Sequence, residues 1–139
     1  MPVRTLVALM LAASLGAAAP GPVGAQDHEG HAGALALNHG ANWASDAPLR
    51  QGMATLRSAV EAPPRELADV IEVQVAYIIE NCRLPADADA NLHLVIEQLI
   101  EGAERLRVGD GSGGRAQVVA ALNAYGSHFD HPGWRPILP

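Results

Sequence analysis

The segment RELADVIEVQVAYIIENC, residues 65–82, contains the clearest structural signal in the chain. Its apolar positions are separated by four, four, three and four residues: Leu67, Ile71, Val75, Ile78 and Cys82. Residues at this spacing lie on one face of an α-helix, whereas a half-buried strand would alternate at every second residue. The segment therefore predicts an amphipathic helix, which ends before Pro85 because proline cannot continue the helical hydrogen bonds.

Three further segments show the same helical periodicity. The first begins near Trp43, with Ser45 and Asp46 as N-cap candidates, and ends at Pro63. The third begins after a capping Asp87, and the fourth follows a loop predicted for residues 109–114 (GDGSGG) and stops before Pro132. Their apolar stripes are Leu49, Met53, Leu56 and Val60; Leu92, Ile96, Leu99, Ala103 and Leu106; and Val118, Leu122, Tyr125 and Phe129. Four such helices with short connections predict an all-α fold, an up-down-up-down antiparallel four-helix bundle over residues 43–139.

The composition limits the classes of function. A chain of 139 residues fits one modest domain. Its 15 acidic residues outnumber 9 basic ones, all of them Arg, so a nucleic-acid backbone is not an expected partner. A single Cys cannot form an internal disulfide. No nucleophile has a base adjacent to it in a known motif, so we do not expect an enzyme.

The first 25 residues have the pattern of a secretory signal peptide. Arg4 precedes an apolar run at residues 6–15 (LVALMLAASL), and the small residues Val23, Gly24 and Ala25 provide a cleavage pattern. The run is shorter than the roughly 20 residues that a membrane-spanning helix needs, so no span is expected after cleavage. We expect a periplasmic or secreted protein in which residues 26–42, a flexible arm containing His28, His31 and His39, precede the bundle.

Several side chains that can bind metals converge in the predicted bundle. An up-down-up-down path brings the start of the first helix, the end of the second, the start of the third and the end of the fourth to one pole. The residues expected there are Met53, Cys82, His93, His128 and His131. Each also has an ordinary structural role, as core or surface residue. Together a thiolate, a thioether and imidazoles form a soft ligand set that suits copper, and zinc gains little from the thioether.

Two segments also resemble a known family. LRQGMATLRSAV at 49–60 and LNAYGSHF at 122–129 resemble the first and last helices of soluble periplasmic b-type cytochromes, in the cytochrome c′-like four-helix bundle superfamily. The resemblance implies one haem b with Met53 and His128 as axial ligands. Cys82 and His93 have no counterpart in that pattern.

Three functions follow as hypotheses. The first is a copper site formed by Cys82, His93, Met53 and either His131 or His128, with His131 preferred because Pro132 anchors its turn. It would serve electron transfer or copper handling with a periplasmic redox or metal-handling partner. The second is the haem-binding electron carrier with Met53 and His128. The third is a helical interaction module without a metal.

Overall fold

The computed structural model describes residues 33–139. This part of the chain forms four α-helices and no extended strand: α1 (Ala47–Ser58), α2 (Pro64–Asn81), α3 (Ala86–Arg107) and α4 (Gly111–His128). The expected signal peptide, residues 1–25, and the first part of the arm, with His28 and His31, lie outside the described residues. Across residues 33–139, no helix combines the length and the continuous apolar character that crossing a bilayer requires.

The predicted apolar stripes form the core. Every stripe residue of α1, α3 and α4 is buried, and so are the α2 residues Leu67, Ile71, Val75 and Ile78. Cys82, the last residue of the α2 stripe, is only half-buried because it is the C-cap and its backbone is extended. The 3.6-residue period therefore predicted the core-facing side of each helix correctly.

Long-range polar contacts connect the helix ends. The carboxylate of Asp46, before α1, contacts Cys82 and the backbone of Arg83, after α2. Near the end of α3, Arg107 forms ion pairs with Asp69 and Glu72 of α2, at 3.0 and 2.6 Å. The start of α1 thus lies beside the end of α2, and the end of α3 beside the first half of α2.

The start of α1 agrees with its prediction and the start of α3 does not. Asp46 Oδ1 accepts a hydrogen bond from the Leu49 N–H at 2.9 Å, as an N-cap does. The prediction of Asp87 as the N-cap of α3 was wrong, because the helix begins at Ala86 and Pro85 is its N-cap residue. Pro85 sets the extended entry into the helix, and its carbonyl accepts the first helical bond, from Asp89. Asp87 lies instead in the first turn, where its charge complements the helix dipole.

The loop predicted for residues 109–114 was also wrong over its last four residues. Of the six, only Gly109, at φ 97°, and Asp110 lie between the helices, and α4 begins at Gly111. Asp110 is the N-cap, and its Oδ1 accepts the Gly113 N–H at 3.0 Å. The glycines are helical because this cap and the packing of α4 on α3 outweigh their unfavourable helix propensity.

Glycine permits a close approach between α3 and α4. A Cβ atom at Gly114 would lie 2.7 Å from Leu106 Cγ, 2.8 Å from the Leu106 backbone nitrogen and 2.9 Å from the Gly102 carbonyl oxygen. Two of these neighbours are backbone atoms of α3, which cannot move as a side-chain end can. The absence of a side chain at position 114 therefore sets the distance between these two helices.

Two segments outside the helices cover the ends and one side of the core. In residues 33–42 of the predicted arm, the Ala36 N–H donates to Asn91 Oδ1 at 2.9 Å, and the Ala36 carbonyl accepts the Trp43 indole N–H at 2.7 Å. The Trp43 backbone N–H donates to the His128 carbonyl at 2.8 Å. These bonds connect the segment before α1 to the start of α3 and the end of α4.

The C-terminal tail, residues 130–139, lies against α1 and α4. Asn123 of α4 binds both backbone groups of Ile137, at 2.8 and 2.9 Å. Arg57 of α1 donates from Nε to the Arg135 carbonyl at 3.1 Å. The Trp134 ring lies so close to Gly126 that a Cβ atom there would collide with it. The tail therefore joins the first and last helices through both backbone bonds and aromatic packing.

The packing at Gly114 gives a stability prediction. We expect Gly114→Ala to destabilise the protein by about 1–3 kcal/mol, because the added methyl group meets fixed backbone atoms. The better helix propensity of Ala, about 1 kcal/mol, offsets only part of this cost. Chemical denaturation measures the difference. Ser112→Ala, in the same turn but exposed, is the matched control and should change stability by less than about 0.5 kcal/mol; equal stabilities of the two variants would contradict the packing argument.

The α4 cap gives a prediction about pH. Hydrogen bonds from the Arg105 side chain and from the Gly113 N–H lower the pKa of Asp110. A group whose pKa is lower in the folded state adds stability above its unfolded pKa, about 3.9, and loses it as the pH falls through the folded value. We expect Asp110→Asn to unfold at a lower temperature than wild type at neutral pH and to approach wild type in acid. Thermal unfolding followed by circular dichroism tests this, and a difference that grows in acid would refute it.

Candidate functional site

The single thiol of the chain is bound to a helix cap. Cys82 Sγ donates to Asp46 Oδ1 at 3.4 Å, and the Arg83 backbone N–H donates to the other carboxylate oxygen, Oδ2, at 2.6 Å. Asp46 Oδ1 also accepts the Leu49 N–H of α1. One carboxylate therefore caps the first helix and binds the end of the second.

This environment keeps the thiol protonated. Burial raises the pKa of Cys82 to about 12, with further increases from the hydrogen bond to Asp46 and from the charges of Asp46 and Asp89, while Arg83 acts in the opposite direction. Burial alone would raise the pKa of Asp46, but the bonds from Arg83, Leu49 and Cys82 together hold it below its usual range. At neutral pH the pair is a neutral thiol donating to a carboxylate, and a thiol in this form is a poor nucleophile.

A second pair lies at the end of α4. The hydroxyl group of Tyr125, which is fully buried, lies 2.9 Å from Nδ1 of His131 in the tail. Burial raises the pKa of Tyr125, and burial followed by the Arg50 charge lowers the pKa of His131. The tyrosine ring also packs edge-on against Trp134, with ring centroids 4.9 Å apart. His131 is therefore a neutral imidazole at neutral pH, held at the edge of an aromatic cluster.

The two pairs belong to one cluster. Besides burial, the pKa of Tyr125 responds to Ser45 and Arg50, which lower it, and to Cys82 and Asp46, which raise it. Arg50 also donates a hydrogen bond to the Ser45 carbonyl. We call Tyr125, its partner His131 and the residues that act on the pKa of the Tyr125 hydroxyl the Cys82 pole, and it consists of Ser45, Asp46, Arg50, Cys82, Tyr125 and His131.

Of the five predicted site residues, two belong to this pole. His131 and Cys82 are 49 positions apart in the sequence; His131 contacts the Tyr125 hydroxyl, and Cys82 raises the pKa of the same hydroxyl. Met53 is fully buried in α1, seven residues after Asp46 and thus on the same face two turns further along.

The other two predicted ligands do not belong to the pole. His93 of α3 has a side chain 57% exposed, with Nδ1 2.9 Å from the Asp89 carbonyl and 3.5 Å from its carboxylate. The charge of the same Asp89 raises the pKa of Cys82. His128, at the end of α4, has its Nδ1 2.8 Å from the Ala124 carbonyl of its own helix.

The predicted ligands do not form a preassembled metal centre. Within residues 33–139, no group of three or more His, Cys, Asp or Glu side chains is arranged so that it could hold a metal ion. The Nδ1 atoms of His93, His128 and His131 each have a protein partner. Metal binding at the pole would therefore require side-chain rotation and loss of the Cys82 proton.

Sequence reasoning missed four members of the pole. It assigned Ser45 and Asp46 only a capping role and Tyr125 only a core position, and it did not use Arg50. Two signals were present: Asp46 and Arg50 are four residues apart, so they share a helix face, and a buried tyrosine hydroxyl needs a polar partner.

One surface feature lies away from the pole. An apolar groove of about 360 Å³ lies between α2 and α3. Ile79, which lines it, and the neighbouring Val73 are 59% and 62% exposed, and Ile100 on α3 is also exposed. The groove is mostly aliphatic, with Glu72, Glu104 and Arg107 at one end.

Comparisons with known proteins gave no match: no family model, no curated protein and no solved structure is similar enough to support an assignment. The functional argument therefore depends on the geometry and chemistry of the described residues.

The Asp46–Cys82 contact gives a prediction about thiol reactivity. We expect Asp46→Asn to lower the thiol pKa from about 12, because the carboxylate charge and its hydrogen bond both raise it in the wild type. The measurement is the rate of alkylation by iodoacetamide as a function of pH, and the rise in rate should move to lower pH. Asp87→Asn is the control, since it removes one acidic charge from an exposed helix start. A profile unchanged by Asp46→Asn would show that this carboxylate does not control the thiol.

Proposed function

We propose that the chain is an exported copper-binding protein without catalytic turnover. In this proposal the helices form an up-down-up-down antiparallel bundle, and the mature chain begins after Ala25 and a cleaved signal peptide. Copper is bound at the Cys82 pole by the Cys82 thiolate together with His131, His93 and Met53. The role is electron transfer or copper handling with a periplasmic redox or metal-handling partner.

One observation carries the proposal. Cys82 and His131 come from distant parts of the sequence; His131 contacts the Tyr125 hydroxyl, and Cys82 and its partner Asp46 both raise the pKa of that hydroxyl. A thiolate and imidazoles, completed by a thioether, are ligands that copper prefers. Between the two candidate histidines of α4 and the tail, His131 is favoured because it lies within the pole, whereas His128 is bonded to its own helix.

The charges near the thiol are compatible with a cation. The carboxylates of Asp46 and Asp89 both raise the pKa of Cys82, so they stabilise positive charge beside it, while Arg83 has the opposite effect. A metal ion would replace the thiol proton, so binding releases a proton and strengthens as the pH rises. His93 is free to rotate, because more than half of its side chain is in solvent.

A titration of the mature chain with Cu(I), under reducing conditions and against a competing chelator, tests this function. We expect one equivalent to bind. Cys82→Ser should remove binding, and His131→Ala and His93→Ala should each weaken it by about tenfold or more, which corresponds to about 1.4 kcal/mol. Met53→Leu nearly conserves volume, so it separates loss of the thioether from loss of folding.

His39→Ala is the matched control, because it removes an exposed imidazole that does not belong to the pole. Absence of stoichiometric binding, or binding unaffected by Cys82→Ser, would refute the copper site. Binding affected only by the control would assign the metal to the arm.

The haem alternative requires a different rearrangement. Met53 is enclosed in the core, and the tail with Trp134 lies against α1 and α4, the helices that carry Met53 and His128. A haem bound between these ligands would displace the tail. A Soret band after haem addition, lost in both Met53→Leu and His128→Ala, would favour this alternative.

The third hypothesis is the helical interaction module. It would be favoured if the protein bound neither copper nor haem, and the α2–α3 groove is then the relevant surface.

A further inference from the structure

The C-terminal tail and α1 enclose a small cavity on the side of the molecule. Its volume is about 230 Å³, and it is lined by Ala54, Arg57, Ser58, His131, Pro132, Gly133, Trp134 and Arg135. The lining contains two arginines and an indole ring but no carboxylate. The chain as a whole has a net charge of −6, whereas the residues that line this cavity carry positive charge only.

The two arginines are available to a ligand. Arg57 uses Nε to bind the Arg135 carbonyl, and its guanidinium carbon lies 5.9 Å from the centre of the Trp134 ring. Among the ion pairs formed by the described residues, none involves Arg57 or Arg135; the arginines that do pair with carboxylates are Arg105 and Arg107.

We propose that this cavity binds a small organic carboxylate. A guanidinium group presents a planar pair of donors that matches a carboxylate, so the ligand's charged end bonds to Arg57 and Arg135. The Trp134 ring, with Ala54 and Pro132, supplies an apolar surface for the rest of the molecule. The volume corresponds to about eight water molecules at roughly 30 Å³ each, which suits a ligand of benzoate size.

The site is independent of the copper proposal. Its donors are Arg57 and Arg135, neither of which belongs to the Cys82 pole, and its apolar wall is Trp134. His131 lines both regions, but the carboxylate site does not use its ring nitrogens. Cys82→Ser should therefore leave carboxylate binding unchanged.

The indole N–H resonance of Trp134 provides a direct readout. The chain has two tryptophans, so a Trp43→Phe background leaves one indole signal in the proton–nitrogen NMR spectrum. We expect benzoate to shift this signal in a saturable manner, and benzamide, which has the same ring without the charge, to leave it unshifted. Arg135→Gln in the same background should weaken benzoate binding by about tenfold.

Arg65→Gln is the matched control, since it removes the same charge from an exposed residue that does not line the cavity, and it should bind like the parent. Arg57 also donates a hydrogen bond to the tail, so its removal could detach the tail. Arg57→Lys is therefore the second variant. It keeps the positive charge but lacks the paired guanidinium donors, and it should also weaken benzoate binding. No saturable shift with benzoate, or equal binding by the Arg135→Gln and Arg65→Gln proteins, would overturn the site. Inorganic phosphate binding as tightly as benzoate would overturn the assignment to an organic carboxylate.

Discussion

The carboxylate of Asp46 is the contact on which the arrangement of the first two helices depends. It caps α1 through the Leu49 N–H, and it binds the chain after α2 through the Arg83 N–H and the Cys82 thiol. A capping side chain usually satisfies donors of its own helix only. Here it also satisfies a backbone group at the end of a neighbouring helix, so the beginning of α1 and the end of α2 are fixed by the same two oxygen atoms.

Tyr125 has a corresponding role for the contact between α4 and the tail. Its ring lies in the core against Phe129, with centroids 5.4 Å apart, while its hydroxyl group reaches the tail at His131. A buried tyrosine of this kind joins an apolar region to a polar one. The electrostatic influence of Asp46 and Cys82 on the same hydroxyl connects the α1–α2 contact with the α4–tail contact. The pole is therefore a structural junction.

The sequence predicted most of the fold because the hydrophobic period depends only on spacing along the chain. The prediction failed at two helix starts. At α3, Pro85 takes the N-cap position, so the helix begins before the expected cap at Asp87. At α4, Asp110 caps the helix, so four residues of a glycine-rich segment are helical although glycine favours a loop. The candidate functional site was harder to predict from the sequence than the fold. Cys82 and His131 could be assigned to one pole from topology, but the pairing of the thiol with a carboxylate 36 positions away depends on side-chain orientation, which periodicity does not determine.

The attachment of the tail has a consequence for how a ligand reaches the interior. Residues 130–139 are held on α1 and α4 by backbone and side-chain hydrogen bonds and by the partly buried side chains of His131, Trp134 and Ile137, in contrast to the continuous core between α3 and α4. Segments with few buried contacts detach at a lower free energy than the whole domain unfolds. Amide hydrogens of the tail should therefore exchange with solvent faster than those of the helices beneath it, and a transient detachment of this kind would expose the Tyr125 hydroxyl while the four helices stay intact.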